Sequence, residues 1–339
     1  MNIRILVVPI CCLVLATFPS PRADAVEATR ALRYVSGTPE AAEAWQEELR
    51  TKLFDLLRLT DLVRSRDAIA FEATVVDEKE FDSYRLQTIE IQSTPARRIR
   101  AALTIPLEAA EGGHPAVVAI HGHGGSMTTP FDGEKPIYKE FGSALARRGF
   151  VVISTNVGQH DVYEPGRTLM GERLWDLMRC VDYLASRSDV DNQRLGCAGL
   201  SLGGEMAMWL GAMDTRMAAT VSAGFLTVMD QMEQNHCMCW KFDGLRELVD
   251  FADIYALTAP RPLQCQNGRM EPDTQFTVAL AEKALAEIRP AYSDFNASDK
   301  LMHQIHDGGH EIALEAMIQF LGKNLDVKEG GIDSPGRDK

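Results

Sequence analysis

One serine lies within the stretch Gly199-Leu200-Ser201-Leu202-Gly203-Gly204. The residues before it, 195–199, are short and apolar as in a buried strand, and those after it, 205–213, favour a helix. Flanking glycines at such a turn let the chain pass close to itself, so a strained serine exposes its hydroxyl above the sheet. The N–H of Leu202 would then face a developing oxyanion. The pattern predicts a nucleophilic serine; the alternative is a small residue at a turn.

A second glycine-rich turn, His121-Gly122-His123-Gly124-Gly125, follows the apolar run 116–120. In a sheet of parallel strands, reacting groups gather at the carboxyl ends of the strands. Enzymes with a serine turn of this kind place a second oxyanion amide in such a loop. We expect the N–H of His123 to be that donor, with Gly124 as the alternative. Paired histidines can also bind a metal, but no carboxylate is spaced beside these.

The serine needs a base, which should come late in the chain. His310 lies on the glycine-rich loop 307–309 that leads into a final helical pattern over 311–321. At the end of a strand, its imidazole can reach the serine, so we predict that His310 is the general base. His303 and His306 alternate within residues 301–306, which indicates surface positions on a strand.

The elements that must position these residues follow a consistent order. Apolar spacing of three and four over residues 39–66 predicts an N-terminal helical arm. Alternating patterns over 71–76, 84–91 and 99–106 predict antiparallel edge strands. From there strands (116–120, 150–154, 195–199) alternate with helices (136–148, 171–187). This order predicts an α/β fold with a mostly parallel, doubly wound sheet. The boundaries are an arm over 26–70, a domain over 71–325 and a polar tail over 326–339.

The first 25 residues have the features of a signal peptide. A basic start is followed by the apolar run 5–18, and Ala23-Asp24-Ala25 offers a cleavage site. The alternative is a membrane anchor, but the run is shorter than a spanning helix and contains Pro9. We therefore expect an exported chain that begins near Val26 and has no stable membrane insertion after cleavage.

Charge and cysteine content narrow the possible partners. The net charge of −13 disfavours nucleic acids and anionic membranes, because both need clustered lysine and arginine.

Five of the seven cysteines would remain after cleavage, and an odd number leaves at least one free thiol in a monomer. The stretch His236-Cys237-Met238-Cys239 is similar to half of a zinc site. No second cluster with ligand spacing follows it, so a disulfide or a packed loop is favoured over a metal site.

The ordered motifs resemble those of α/β-hydrolases, specifically dienelactone-hydrolase-like and acetyl-xylan-esterase-like enzymes. The resemblance covers about residues 97–322 and includes the turns at Ser201 and His121, the stretch Ala259-Pro-Arg-Pro-Leu and Gly308-Gly-His310. Dienelactone hydrolases proper use a cysteine nucleophile. A serine in its place implies ordinary ester hydrolysis.

The acid of a catalytic triad has two candidates in the segment after residues 261–267. The family pattern Gly-x-x-Asp-Pro is Gly268-Arg-Met-Glu271-Pro-Asp273 in this chain. Glu271 has the family spacing from Gly268, whereas Asp273 has the family spacing to Phe276 if two residues have been inserted. The match continues downstream of Asp273, which favours Asp273 and leaves Glu271 as the alternative.

Together these features imply an exported serine hydrolase that cleaves an acetyl, short-acyl or carbohydrate ester through an acyl-enzyme, with no cofactor and no metal. The substrate would be a small-molecule or carbohydrate ester. A serine peptidase of the prolyl-oligopeptidase type would use the same triad, but about seventy residues before the first strand are too few for the propeller such enzymes carry. A non-catalytic binding protein on this fold would be expected to lose a triad residue, and every triad residue has a candidate.

Overall fold

The computed structural model describes residues 30–234, 236–271 and 276–326. The predicted signal peptide, Asp273 and nearly all of the predicted tail lie outside these residues. The strands are β1 (Thr74–Glu80), β2 (Tyr84–Thr94), β3 (Arg97–Pro106), β4 (His114–Ile120), β5 (Val151–Thr155), β6 (Val190–Leu200), β7 (Met217–Ala223), β8 (Leu263–Gly268) and β9 (Leu301–His306).

The α-helices are α1 (Pro39–Leu56), α2 (Thr60–Arg64), α3 (Thr129–Asp132), α4 (Phe141–Ala146), α5 (Leu169–Ala185), α6 (Leu202–Met213), α7 (Met229–Met232), α8 (Leu245–Leu248), α9 (Phe251–Ala256), α10 (Val278–Asp294) and α11 (Leu314–Asn324). Single 3₁₀ turns occupy Arg66–Ala68, Pro136–Tyr138, Met238–Trp240 and Ser298–Lys300. In the described part of the chain, no helix is long and apolar enough to cross a membrane.

The nine strands of the described residues form one sheet in the order β1-β2-β3-β5-β4-β6-β7-β8-β9. β1, β2, β3 and β5 pair antiparallel, and from β5 to β9 every pair is parallel. This confirms a mostly parallel, doubly wound sheet with antiparallel edge strands. Ile120 pairs with Gly199, and Gly268 pairs with His306. The loops that follow β4, β6, β8 and β9 therefore leave the sheet at one edge.

Helices cover both faces of the sheet. On one face, α5, α6, α9 and α10 form the larger apolar core with the β-strands, and α4 and α11 pack on the other face. The parallel strands are apolar because both of their faces are covered. All seven residues of β4 are buried, and all seven of β1, at the free edge, are exposed.

The predicted N-terminal arm consists of α1 and α2. Thr38 caps α1 by accepting a hydrogen bond from the N–H of Ala41, and Pro39 takes the first helical position, where its missing N–H costs nothing. The arm supplies hydrogen bonds to two other helices. Gln46 donates to the carbonyl oxygens of Ala256 and Ala259, and Arg50 donates to those of Ala212 and Leu257. The arm thus satisfies carbonyl groups at the ends of α6 and α9.

Two predicted elements differ from the structure. The helix expected over 136–148 is wrong in its first half, where a 3₁₀ turn precedes α4. Lys139 and Glu140 both have positive φ, at 52° and 49°, so the chain cannot continue as a right-handed helix there. The first strand begins at Thr74 rather than at residue 71, because Glu72 also has a positive φ of 44°.

Candidate active site

Ser201 occupies a sharp turn between β6 and α6. Its φ of 63° and ψ of −124° form a strained conformation for a residue with a side chain, and its N–H donates to the carbonyl oxygen of Ala223 at 2.9 Å. A Cβ atom on Gly199 would lie 2.2 Å from the carbonyl oxygen of Gly203, and one on Gly203 would lie 2.2 Å from that of Ile120. Only glycine fits at these two positions, so this turn can form only in a sequence with glycines at 199 and 203.

His310 lies between β9 and α11, in the loop predicted for it. Its Nδ1 lies 3.0 Å from both carboxylate oxygens of Glu271, whose side chain is 1% exposed. With Nδ1 held by this carboxylate, Nε2 is the nitrogen left to exchange a proton. Glu271, one of the two predicted acids, is therefore hydrogen-bonded to His310, the predicted base.

The ring of His310 is held between two neighbours. Phe276 stacks on it, with ring centroids 5.5 Å apart and planes at 23°. Gly224 is the second neighbour: a Cβ atom added there would lie 2.9 Å from Cε1 of His310. Gly224 follows Ala223, whose carbonyl oxygen accepts from Ser201. The imidazole thus lies beside the backbone that holds the serine turn.

The candidate oxyanion donors lie at two neighbouring strand ends. Leu202 is the first residue of α6, so its N–H has no acceptor within the helix. In the loop after β4, Gly122 donates to the hydroxyl of Tyr138 at 2.7 Å, and Gly125 donates to the carbonyl oxygen of Gly122 at 3.1 Å. These two bonds occupy the amides on either side of His123 and Gly124. A Cβ on Gly122 would lie 3.0 Å from Cβ of Ser201, so this loop is close to the serine.

His121 has a structural role. It is fully buried, with Nδ1 2.8 Å from the carbonyl oxygen of Gly122 and Nε2 3.1 Å from the N–H of Val157. Nδ1 therefore carries the proton and Nε2 accepts, so both nitrogens are used. Burial lowers its pKa to about 4, which keeps the ring neutral. His121 ties the loop after β4 to the loop after β5.

The side chain of His123 lies in a group that could hold a metal ion. Its Nε2 is 3.2 Å from Sγ of Cys239, and Nε2 of His160 is 3.3 Å from Sγ of Cys237. We call these four residues the His–Cys cluster. Burial lowers the pKa of His123 to about 4, an effect to which the guanidinium of Arg173 adds. Burial raises the pKa of the Cys239 thiol to about 12, while Arg173 acts in the opposite direction.

A cleft of about 450 Å³ opens beside the glycine-rich loop. Gly124 and Gly125 form one wall, and the other lining residues include Arg97, Arg100 and Tyr163. A larger cleft of about 970 Å³ contains none of the candidate site residues and lies at the opposite edge of the sheet, near the start of β4. The cleft beside the loop includes one candidate site residue, Gly124, but neither Ser201 nor His310 lines it.

Comparisons with known proteins agree with this arrangement. Residues 141–252, about a third of the chain, match the prolyl oligopeptidase family (Peptidase_S9). YtaP of Bacillus subtilis (strain 168), provisionally named a hydrolase, is 25% identical over 244 residues, which are 63% of this chain and 78% of YtaP.

Solved structures extend the likeness to most of the chain. Methylesterase BT1017 has a TM-score of 0.70 at 19% identity and covers 91% of this chain and 69% of its own. The glucuronoyl esterase from Solibacter usitatus has a TM-score of 0.65 at 16% identity and covers 92% and 99%. Acetyl xylan esterase 1 from Thermoanaerobacterium sp. JW/SL YS485 has a TM-score of 0.57 at 18% identity and covers 90% and 99%. The chain has the α/β-hydrolase fold. The resemblance inferred from the motifs is thereby confirmed, and the matches support a hydrolase.

Sequence analysis missed two residues of the site region. His160, in the loop between β5 and α5, is exposed and has no motif around it. Arg173, on α5, is fully buried beside the His–Cys cluster. The sequence offered no signal for Arg173, because α5 contains four other charged residues. Asp273, the favoured acid, lies outside the described residues, whereas Glu271 is bonded to His310.

Proposed function

We propose that this α/β-hydrolase is an exported serine esterase that cleaves acetyl, short-acyl or carbohydrate esters through an acyl-enzyme. The observation that carries the proposal is the strained turn of Ser201 beside a histidine bonded to a buried carboxylate. Strained backbone persists where the surrounding structure enforces it, and such sites are often functional. We assign Ser201 as nucleophile, His310 as general base and Glu271 as the triad acid.

In the first half of the reaction, Nε2 of His310 takes the hydroxyl proton of Ser201 as Oγ attacks the ester carbonyl. The resulting imidazolium donates its Nδ1–H to Glu271, whose carboxylate stabilises the positive charge. The N–H groups of Leu202 and His123, with Gly124 as the alternative to His123, donate to the oxyanion. Each such donor lowers the barrier by about 2.7 to 4 kcal/mol.

The intermediate collapses when the leaving alcohol takes the proton from Nε2, which leaves an acyl group on Oγ. Water then attacks the acyl carbon and gives its proton to Nε2. Collapse of this second intermediate releases the carboxylic acid and returns the proton to Oγ. Protons balance over the cycle without a cofactor.

The substrate class is supported by two observations. The three structural neighbours named above are a methylesterase, a glucuronoyl esterase and an acetyl xylan esterase. The cleft beside Gly124 and Gly125 is lined by arginine, tyrosine and asparagine side chains, which suit hydroxyl-rich substrates better than long acyl chains.

A peptidase is the second candidate, because the family match over residues 141–252 includes Ser201. Both activities would use the same triad, so the leaving group distinguishes them. We expect turnover of short-chain p-nitrophenyl esters and acetylated xylan, and none of aminoacyl p-nitroanilides. Turnover of the anilides at rates comparable with the esters would favour the peptidase.

The test of the nucleophile is Ser201→Ala, with Ser126→Ala as its matched control. Ser126 lies in the adjacent loop, where its hydroxyl is 2.9 Å from that of Thr128. Ser201→Ala should stay folded and lose at least about 10³-fold in ester turnover, since the triad acts as a unit. A fluorophosphonate should label the wild type and Ser126→Ala but not Ser201→Ala. Near-normal turnover by Ser201→Ala would refute the proposal.

Export has its own test. When the full chain is produced in a secreting host, N-terminal sequencing of the exported protein should begin near Val26, because Ala23-Asp24-Ala25 provides the cleavage site. Replacing Ala25 by a bulky residue should leave uncleaved precursor. An N-terminus at Met1 in membrane-bound protein would instead support the anchor.

A further inference from the structure

Four metal-binding side chains converge beside the proposed active site. The ligand atoms of His123, His160, Cys237 and Cys239 all lie within 4.8 Å of one another. They come from three segments: the loop after β4, the loop after β5 and the segment between α7 and α8. Side chains separated by up to 116 residues thus meet at one point, although the proposed ester chemistry uses none of them.

Two of the distances between ligand atoms are close to those around a tetrahedral zinc ion. Zinc binds sulfur at about 2.3 Å and imidazole nitrogen at about 2.0–2.1 Å, which places neighbouring ligand atoms about 3.3–3.8 Å apart. The two nitrogen–sulfur distances in the His–Cys cluster are 3.2 and 3.3 Å. The remaining pairs lie within 4.8 Å, so they would close by up to about 1 Å when a zinc ion binds. Two thiolates with two imidazoles favour zinc over magnesium or calcium, which prefer oxygen ligands.

The surroundings supply an independent indication of negative charge at this point. Arg173 is fully buried, and its Nε and Nη1 have no hydrogen-bond partner among the described residues. Its guanidinium lies near both His123 and Cys239. A buried cation is costly unless an anion lies near it. The buried carboxyl of Glu205 also lies near this guanidinium, and a metal-bound thiolate at Cys239 would add a second anion, whereas a neutral thiol would not.

We propose that the His–Cys cluster binds one zinc ion with all four side chains as ligands. Four protein ligands close the coordination shell, so the ion is structural and does not activate water. Binding replaces the two S–H protons, which are released to solvent as the two thiolates form, and leaves both imidazoles neutral.

The ion would join the loop after β4, which lies against Ser201, to the loop after β5 and the segment between α7 and α8. His123 carries a candidate oxyanion amide on its backbone and a metal ligand on its side chain. Zinc would therefore fix the position of that amide, and His123 would act as a positioning residue through its side chain. The metal site itself does not depend on the proposed esterase function.

A disulfide between Cys237 and Cys239 is the competing arrangement. The structure has both as free thiols. Mass spectrometry under non-reducing conditions distinguishes the two states, because oxidation to a disulfide lowers the mass by two hydrogen atoms, and a disulfide cannot supply two thiolates. If the oxidised chain binds no zinc but binds one equivalent after reduction, the proposal is supported. If the reduced chain still binds none, the proposal is overturned.

The decisive experiment measures metal without using catalysis. The reduced full chain is freed of metal with a chelator, titrated with Zn²⁺ and analysed for metal content, and then titrated with Co²⁺, whose absorption reports tetrahedral geometry and thiolate ligation. We expect one zinc per chain, and a thiolate-to-cobalt charge-transfer band that saturates at one equivalent. Ser201→Ala should bind metal as the wild type does, so failure of the metal site and failure of the proposed function are distinguishable.

Variants assign the ligands. His160→Gln, at an exposed position, and Cys239→Ser should lose stoichiometric zinc, and Cys239→Ser should also weaken the charge-transfer band. His236→Gln is the matched control, because His236 lies next to Cys237 but outside the His–Cys cluster; it should keep one zinc. Melting temperatures of the metal-free forms verify folding. The absence of the cobalt band in folded wild type, or a band unchanged in Cys237→Ser/Cys239→Ser, would overturn the proposal.

Discussion

Replacing Glu271 by glutamine removes the carboxylate charge beside His310 with little change in shape. Both oxygens of Glu271 lie 3.0 Å from Nδ1, and the side chain is 1% exposed. An imidazolium and a carboxylate whose charges are about 3–4 Å apart attract by about 4–5.5 kcal/mol at an effective dielectric constant of about 20. Because the imidazolium forms only during the reaction, this energy is lost from the transition state. We expect kcat to fall by about 10³- to 10⁴-fold.

The amide has a second effect of the same sign. Its NH₂ group can donate to Nδ1, which would keep the proton on Nε2 and remove the base. The KM for a p-nitrophenyl ester should change little, because Glu271 stabilises charge that is absent from the bound ester. Steady-state kinetics of Glu271→Gln therefore separate an effect on kcat from an effect on binding.

Asp273→Asn is the matched control, since it makes the same chemical change two residues away. It should keep most of the activity, and circular dichroism should show that both variants are folded. The assignment is refuted if Glu271→Gln keeps more than about a tenth of wild-type kcat in the folded enzyme. If Asp273→Asn shows the larger loss, the role of acid belongs to Asp273.

Three further predictions concern stability. Gly203→Ala should lower the melting temperature sharply or prevent folding, because its Cβ would lie 2.2 Å from a carbonyl oxygen at the end of β4. Gly158→Ala is the control and should be tolerated, because the atom nearest to its Cβ would be 3.4 Å away. Asp253→Asn should reduce the free energy of unfolding in urea by about 1.5–3 kcal/mol, because Arg30 loses its hydrogen bonds to the buried carboxylate and keeps only Glu287; a loss below about 0.5 kcal/mol would contradict this. Burial lowers the pKa of His306, whose Nδ1 accepts a hydrogen bond from the backbone N–H of Gly308. The free energy of unfolding should therefore be highest above pH about 6.5 and fall below it. H306N keeps an acceptor and should flatten this pH dependence.

The serine turn and its elements were predictable because their determinants are local. Glycine is required at positions 199 and 203 because a Cβ atom there would collide with a carbonyl oxygen, that of Gly203 in the first case and that of Ile120 on the neighbouring strand in the second. Apolar runs identified the parallel strands because burial on both faces demands them. The helix expected over 136–148 was wrong in its first half, since nothing in the apolar spacing shows that Lys139 and Glu140 adopt positive φ.

The His–Cys cluster could not be predicted from spacing. Its four residues come from three loops, and only Cys237 and Cys239 are neighbours in the chain. Spacing rules describe zinc sites whose ligands come in close pairs, whereas His123 and His160 meet these cysteines only after the sheet has formed. The bond between Glu271 and His310 likewise depends on loops brought together by the pairing of β8 and β9.

The docking of the N-terminal arm has a consequence for the order in which the chain folds. Gln46 and Arg50 are made early in synthesis, but their acceptors at residues 212 and 256–259 come at least 162 residues later. The arm cannot reach its native contacts until most of the sheet has been synthesised, and contacts of such long sequence separation form slowly. During this interval the apolar face of α1 is uncovered, so the nascent chain is vulnerable to aggregation until residue 259 is available.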